Sequence, residues 1–407
     1  MLMSNKDMKQ IKPRLRFPEF CNTEDWEIKE LKTVASFFKG KGLPKSAITS
    51  SGNSLCIHYG ELFTKYSEII NAVNTRTNLE GDCFLSIEND VLMPTSDVTP
   101  KGLAKSCCLK LDNIILGGDI LVIRPNQSLV FGEYLSRLIR NQEAQVLQVV
   151  SGSTVFHLYA SSMEKLFFPF PSLQEQQKIA DCLSSIDELI TVESKKLDTL
   201  KIYKKGLMQQ LFPAEGETLP KLRFPEFQAA PDWEEKTLKE LCSLQAGKFI
   251  TASEIYEKNQ KNLYPCYGGN GLRGFVKSYT HNGTYPLIGR QGALCGNINI
   301  SEGSFYATEH AVVVTAKKGV NVNWLFYQLV RLNLNQYATG QAQPGLSVAV
   351  LDKLYSTIPH SPIEQQKIAD YLSSIDELIT AENKKLDMLK KHKKGLMQQL
   401  FPTMSEL

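Results

Sequence analysis

Apolar residues recur at alternating spacings of four and three along two stretches of the chain. The first reads Ile179, Leu183, Ile186, Ile190, Glu193, Leu197, Leu200, Lys204, Leu207 and Leu211. The second reads Ile368, Leu372, Ile375, Ile379, Glu382, Leu386, Leu389, Lys393, Leu396 and Leu400. Eight of the ten positions are apolar in each stretch, and the positions between them are mostly Lys, Glu, Asp, Ser and Gln. An apolar period of about 3.5 residues held over more than four heptads predicts long helices with a coiled-coil seam. Residues 179–211 would make a rod about 50 Å long. Pro213 and Pro402 close the helices, and Pro169, Pro171, Pro359 and Pro362 precede them, as residues that cannot continue a helix should. The polar seam residues sit at matched sites. They read either as solvated gaps or as register-fixing positions.

The two stretches belong to a longer repeat. Residues 175–213 and 364–402 are identical at 33 of 39 positions. A second echo opens each half, Pro13-Arg-Leu-Arg-Phe-Pro-Glu-Phe20 and Pro220-Lys-Leu-Arg-Phe-Pro-Glu-Phe227, followed in register by Trp26 and Trp233. The openings lie 207 positions apart and the helices 189, so the first intervening segment is 18 residues longer. The simplest arrangement pairs the two helices antiparallel within one chain and puts the intervening segments at opposite ends. Each helix packing on its own domain, or pairing between chains, are the alternatives.

The intervening segments alternate strand and helix signals. Asn282-Gly283, between Phe275-Val-Lys-Ser-Tyr-Thr280 and Tyr285-Pro-Leu-Ile288, predicts a hairpin with a type I′ turn. Pro286 would place the second arm at an edge. His310-Ala-Val-Val-Val-Thr315 reads as a buried strand. Asn323 to Ala338 reads as a helix facing inward through Leu325, Leu329 and Leu332, with Gly340 just past its end. Phe131–Gln148 is its counterpart in the first segment, through Leu135, Leu138 and Ile139. The expected class is α+β with a pseudo-two-fold internal repeat. The expected pieces are 13–170 (first globule), 171–213 (first repeated helix), 214–360 (second globule) and 361–402 (second repeated helix).

Catalytic signatures are missing from these globules. Gly269-Asn-Gly-Leu-Arg-Gly274 has dinucleotide-fingerprint spacing, but a strand-like run follows where a helix must open. There is no Gly-Lys-Ser/Thr phosphate loop and no Asn/Asp-Pro-Pro-Tyr/Phe methyltransferase run. Pro231-Asp-Trp-Glu-Glu-Lys236 echoes Glu24-Asp-Trp26 and reads as a domain entrance rather than a nuclease triad. The six histidines show no ligand spacing. His310 beside Glu309 reads as a satisfied histidine before an acid–base pair. Nine cysteines without a C-x-x-C pair fit a reducing cytoplasm. The first residues lack the apolar core of a secretory leader, and no apolar run approaches membrane length. Net charge is only +3. Segment 21–174 carries 14 Lys/Arg against 16 Asp/Glu, and segment 228–361 carries 12 against 9. Any nucleic-acid contact must therefore use local clusters or a partner's charge.

The loops offer polar, planar and basic side chains on Gly-rich backbone: Lys39-Gly-Lys-Gly-Leu-Pro-Lys45, Ser96-Asp-Val-Thr99 and Ser151-Gly-Ser-Thr154 in the first segment; Tyr267-Gly-Gly-Asn-Gly271, Gly289-Arg-Gln-Gly292 and Thr339-Gly-Gln-Ala-Gln343 in the second. Such residues read base edges, and glycine lets backbone approach phosphate. On residue type alone they are equally ordinary polar loops.

The duplicated EQQKIAD…IDELI…KKGLMQQLFP helix and the paired LRFPEF openings resemble the DNA-specificity subunit of type I restriction–modification systems. The resemblance covers about 13–402. It extends to Tyr264-Pro-Cys-Tyr-Gly-Gly-Asn-Gly271, Leu287-Ile-Gly-Arg-Gln-Gly292, Thr308-Glu-His-Ala311 and Ala342-Gln-Pro-Gly-Leu346, which look like target-recognition segments. Segment 1 departs from that pattern, with Ser-Gly-Ser-Thr-Val-Phe where segment 2 has Thr-Gly-Gln-Ala-Gln-Pro, and implies a different recognition subtype. The resemblance implies two mixed α/β target-recognition domains separated by two long helices forming an antiparallel coiled coil. It implies a non-catalytic adaptor that binds a bipartite site on double-stranded DNA and docks two modification subunits and restriction subunits. S-adenosylmethionine would sit in the modification subunit, ATP and Mg²⁺ in the restriction subunit, and no cofactor in this chain. The DNA-facing candidates are Lys39, Lys41, Lys45, Ser96, Thr99, Ser151, Ser153 and Thr154, then Tyr267, Asn270, Arg273, Arg290, Gln291, His310, Gln341 and Gln343. The alternative is a coiled-coil scaffold with protein-binding globules.

Overall fold

Alternating burial along the strands decides how each globule is layered. The computed structural model describes residues 11–292, 294–340 and 344–402. Contacts group the chain into two units, Ser194–Lys384 and the remainder on either side of it.

In the first unit, β1 (Glu27–Glu30) follows the opening motif, then β2 (Ala35–Lys39), β3 (Ile69–Ile70), β4 (Asp90–Pro94), β5 (Ser96–Asp97), β6 (Cys107–Leu109) and β7 (Ile120–Pro125). Helix α1 (Gly132–Asn141) precedes β8 (Ser151–Gly152), β9 (Phe156–His157) and β10 (Phe167–Phe170). The main sheet has the order β2-β7-β4-β6-β3. Successive residues of a strand face opposite sides. Val91, Met93, Leu121 and Ile123 accordingly join Tyr134, Leu135, Leu138 and Ile139 of α1 in one core. Leu92, Ile120 and Val122 join Ile57, Leu62 and Leu116 in another. Burial on both faces explains why β4 and β7 read as continuous apolar runs.

The first long helix is α2 (Leu173–Leu211), 39 residues and about 58 Å long. In the second unit, β11 (Glu234–Thr237), β12 (Cys242–Ala246), β13 (Tyr264–Gly268), β14 (Gly271–Val276), β15 (His281–Asn282), β16 (Tyr285–Gly289), β17 (Ile298–Ser301), β18 (Ser304–Ala307) and β19 (Ala311–Ala316) lead to α3 (Val322–Arg331). Then come β20 (Tyr355–Ile358) and the second long helix α4 (Pro362–Leu400), also 39 residues. Two four-stranded sheets result, β12-β19-β16-β17 and β14-β13-β18-β15. Ile288, Val312 and Val314 pack with Trp324, Leu325 and Leu329. Leu287, Ala311 and Val313 pack with Phe305 and Ala307.

Three expectations change here. The first-segment helix expected over Phe131–Gln148 divides at Gln142 into Gly132–Asn141 and Glu143–Leu147. The Asn282-Gly283 hairpin does not form: β14 pairs with β13, while β16 pairs with β17 and β19. Leu287 and Ile288 are buried on opposite faces, and β16 is an interior strand whose two edges are taken by β17 and β19, so long-range pairing outweighs the local turn signal. Pro286 lies where β16 pairs with β17 alone, since partners on β19 begin at Leu287. The second-segment helix stops at Arg331, because Asn333 takes a left-handed backbone (φ 46°).

Every seam position of α2 and α4 is buried or half-buried. Within the first unit, Lys393 meets Asp187 at 2.6 Å and Lys385 meets Glu193 at 2.5 Å. One number falls as the other rises, so these helix segments run antiparallel. Within the second unit, Lys204 meets Asp376 at 2.6 Å and Lys196 pairs with Glu382. Each pair is the repeat-mate of a pair in the other unit. The polar seam residues are cross-helix ion pairs rather than solvated gaps, which favours one register.

The opening motifs dock in the same way. Arg16 donates two hydrogen bonds of 2.8 Å to Glu175, and Arg223 donates bonds of 2.7 and 2.8 Å to Glu364. Both arginine side chains are 8% exposed and both carboxylates 1%. The adjacent Gln176 accepts from Phe131 N and donates to the Leu129 and Pro171 carbonyls. Gln365 accepts from Asn321 N and donates to those of Gly319 and Pro359. The repeat therefore preserves a set of contacts, and each unit hangs its own globule on them.

Candidate nucleic-acid interface

Antiparallel pairing sends strand ends of alternating direction to the same sheet edge. In the first unit, β2 and β7 are antiparallel and so are β7 and β4. The end of β2 at Lys39, the start of β7 and the end of β4 therefore share one edge. Beyond β4, Ser96 pairs with His157 and His157 with Ser151, closing the small sheet β8-β9-β5. Ser96, Thr99, Ser151, Ser153 and Thr154 thus fall on one small sheet and its loops. Thr99 already donates its hydroxyl to Asp97 at 2.8 Å. Lys39 lies 3.8 Å from Asp119, whose carbonyl accepts from Thr95 N at 3.0 Å. Lys41 spans both oxygens of exposed Asp82 at 2.7 and 2.6 Å. Lys45 opens a short 3-10 turn and is exposed. This edge carries its cations beside acids, as the local charge count anticipates.

In the second unit the same logic brings Lys248, His310 and Arg290-Gln291 together. Ala246 at the end of β12 pairs with Val312, and Gly289 at the end of β16 pairs with Ala311. The β13–β14 turn folds over that edge. A Cβ on Gly289 would lie 1.9 Å from the Gly269 carbonyl oxygen, so only glycine allows this approach. Between them opens a cavity of about 470 Å³ lined by Gly268–Arg273, Gln291, Gly292 and His310. Asn270, Arg273, Gln291 and His310 all face it, and Tyr267 sits behind the turn with its ring edge-on to Phe305. Arg290 flanks the cavity. Its N–H donates to the His310 carbonyl at 2.9 Å and its carbonyl accepts from Leu346 N at 2.9 Å.

His310 Nε2 lies 3.1 Å from Glu309 Oε1. Its Nδ1 is buried with no partner among the described residues, so the histidine is only half satisfied. Nearby, burial and then Lys248 push the His281 imidazole below its usual value. It stacks on Phe305 at 5.3 Å. Gln341 and Gln343 lie outside the described residues. Thr339 and Gly345, which flank them, pair with each other, and Gly345 also bridges Gln291.

Sequence reading missed Leu272, which lines the cavity, and the Arg16–Glu175 and Arg223–Glu364 clamps. The clamps had a signal, since all four residues lie in repeated motifs. Among the described residues no cluster of three or more His, Cys, Asp and Glu could hold a metal ion, and no helix is long and apolar enough to cross a membrane.

The family profile described as Type I restriction modification DNA specificity domain matches residues 23–201 and again 231–391. The chain belongs to that family. Two matches in tandem agree with the two units. A specificity subunit of the type I restriction enzyme EcoprrI of Escherichia coli is 50% identical over 145 residues, 35% of this chain and 36% of that protein. The MjaVIII specificity subunit of Methanocaldococcus jannaschii is 26% identical over 414 residues, 93% of this chain and 92% of that protein. In three dimensions the chain is similar to the type I restriction–modification S subunit from M. genitalium. The TM-score is 0.69 at 18% identity, over 97% of this chain and all (100%) of that one. That likeness establishes the fold: a specificity-family chain built as two mixed α/β halves on repeated helices.

Proposed function

We propose that this specificity-family chain is the DNA-reading subunit of a type I restriction–modification complex, with each globule reading one half of a bipartite double-stranded target. The carrying observation is a frame whose arginine clamps, glutamine contacts and cross-helix ion pairs recur in both units while the globules it supports differ. In the second unit the readers are Asn270, Arg273, Arg290, Gln291 and His310, with Tyr267 behind the turn; Gln341 and Gln343 are candidates on sequence alone. Arg suits guanine, and Asn or Gln suits adenine. In the first unit they are Ser96, Thr99, Ser151, Ser153 and Thr154, with Lys39, Lys41 and Lys45 at phosphates. The long helices set the separation of the half-sites. Half-sites near one helical turn apart lie on one DNA face, which a fixed spacer matches.

The chain acts as a non-catalytic adaptor. It docks two modification subunits carrying S-adenosylmethionine, and restriction subunits using ATP and Mg²⁺ join them. Its own near-neutral charge fits a division of labour in which partners clamp the DNA backbone. The test is duplex binding by the chain with its modification subunits, against random competitor. Selective retention of one bipartite sequence is expected. Retention without selectivity, or none, would leave a protein-binding scaffold as the reading. Purified alone with Mg²⁺ or methyl donor, the chain is expected to leave DNA unaltered.

A further inference from the structure

Strand β14 breaks the alternation that a strand imposes. Leu272 and Arg273 are consecutive, yet both are exposed and both line the cavity. The cause is a bulge. Register runs Cys266 to Gly274 and then Tyr267 to Leu272, so Arg273 is the extra residue. Bulges re-aim side chains, and they do so where a site needs them. This one is held from behind. Tyr256 exchanges two backbone hydrogen bonds of 2.8 Å with Phe275. A Cβ on Gly274 would lie 2.5 Å from Ile255 Cγ2 and 2.6 Å from the Tyr256 carbonyl oxygen. The outcome is a leucine 56% exposed among four side chains that suit base edges.

An exposed leucine alone says little. A leucine placed by a clamped bulge beside Asn270, Arg273, Gln291 and His310 is different, because one base-edge group in the major groove is apolar, the 5-methyl of thymine. We infer that Leu272 reads a thymine methyl in the half-site of the second unit, next to the base pair met by Arg273. The inference rests on the DNA-reading function proposed above and names the chemistry of one position.

The assembled complex, chain plus modification subunits, is titrated with target duplexes in which each thymine of that half-site is replaced singly by deoxyuridine. For the native chain, one replacement lowers affinity about fourfold, the worth of one buried apolar carbon. Leu272→Ala binds the thymine duplex correspondingly more weakly and no longer distinguishes it from the deoxyuridine duplex. Replacements in the other half-site show no dependence on residue 272. The inference is overturned if that half-site holds no thymine, if no replacement weakens native binding, or if the penalty persists in Leu272→Ala. Loss of all sequence selectivity, even for the native chain, would instead overturn the DNA-reading function and this inference with it.

Discussion

Replacing Glu364 with alanine should cost the second unit more than the matching Glu175→Ala costs the first. Each carboxylate is buried and holds an arginine through two charged hydrogen bonds. Removing one partner of such a pair leaves an uncompensated buried charge, a loss of about 3–5 kcal/mol. The two sites then diverge. Glu364 also accepts from Trp233 Nε1 at 3.2 Å, whereas Trp26 Nε1 has no partner among the described residues. Losing that acceptor adds about 1 kcal/mol. Arg16 keeps three other acceptor contacts, to the Thr23 carbonyl and hydroxyl and the Glu24 carbonyl. Arg223 keeps two, to the Ala230 and Pro231 carbonyls. Bulk unfolding of a two-unit chain need not be two-state, so the assay is hydrogen exchange read peptide by peptide, which gives opening free energies for each unit separately. Glu364→Ala should destabilise peptides around Trp233 by roughly 1 kcal/mol more than Glu175→Ala destabilises those around Trp26. Equal losses, or a loss below about 1 kcal/mol at either site, would refute the clamp as described.

Three further outcomes are expected. Burial alone would raise the Glu68 carboxyl, but Lys393 and Arg140 outweigh it and hold it at about 2. With its folded value below the ordinary 4.5, Glu68 contributes stability that is complete above that value and lost as pH falls from there toward 2. The contribution is about 3 kcal/mol; acid titration of Lys393→Met by circular dichroism should lack much of this limb, and an unchanged limb would count against the network. Arg290→Ala should cost about 1–3 kcal/mol at one base position of the second half-site. A uniform loss over all sequences, measured by binding selection, would mark Arg290 as a phosphate contact. Removing one heptad from both long helices shortens each by about 10 Å. The gap in the methylated target should change or the complex should fail to assemble, and an unchanged gap with intact activity would exclude the helices as spacer.

The long helices were legible because a period of about 3.5 residues is a local property, and burial at Leu183 and Leu372 follows it directly. The roles of Glu193 and Lys204 were not, because their partners Lys385 and Asp376 lie on the other helix. The Arg16–Glu175 clamp spans 159 positions, beyond any pattern read within a window. The Asn282-Gly283 signal misled because it is local, while β16 pairs with β17 and β19, strands whose partnership no short window shows. The Gly-rich motifs around Asn270 and Gln291 were recognisable as loops. Their convergence with His310 depends on three strand ends meeting at one edge, which spacing does not encode. Leu272 was hidden for a related reason, since a bulge appears only when the partner strand is known.

The central claim is that each globule reads its own half of the target. Exchange of segment 21–174 for that of a family member with another specificity, followed by genome-wide mapping of methylated bases, tests it most directly. One half of the methylated sequence should change, with the other half intact. A change in both halves, or in neither, would contradict the claim.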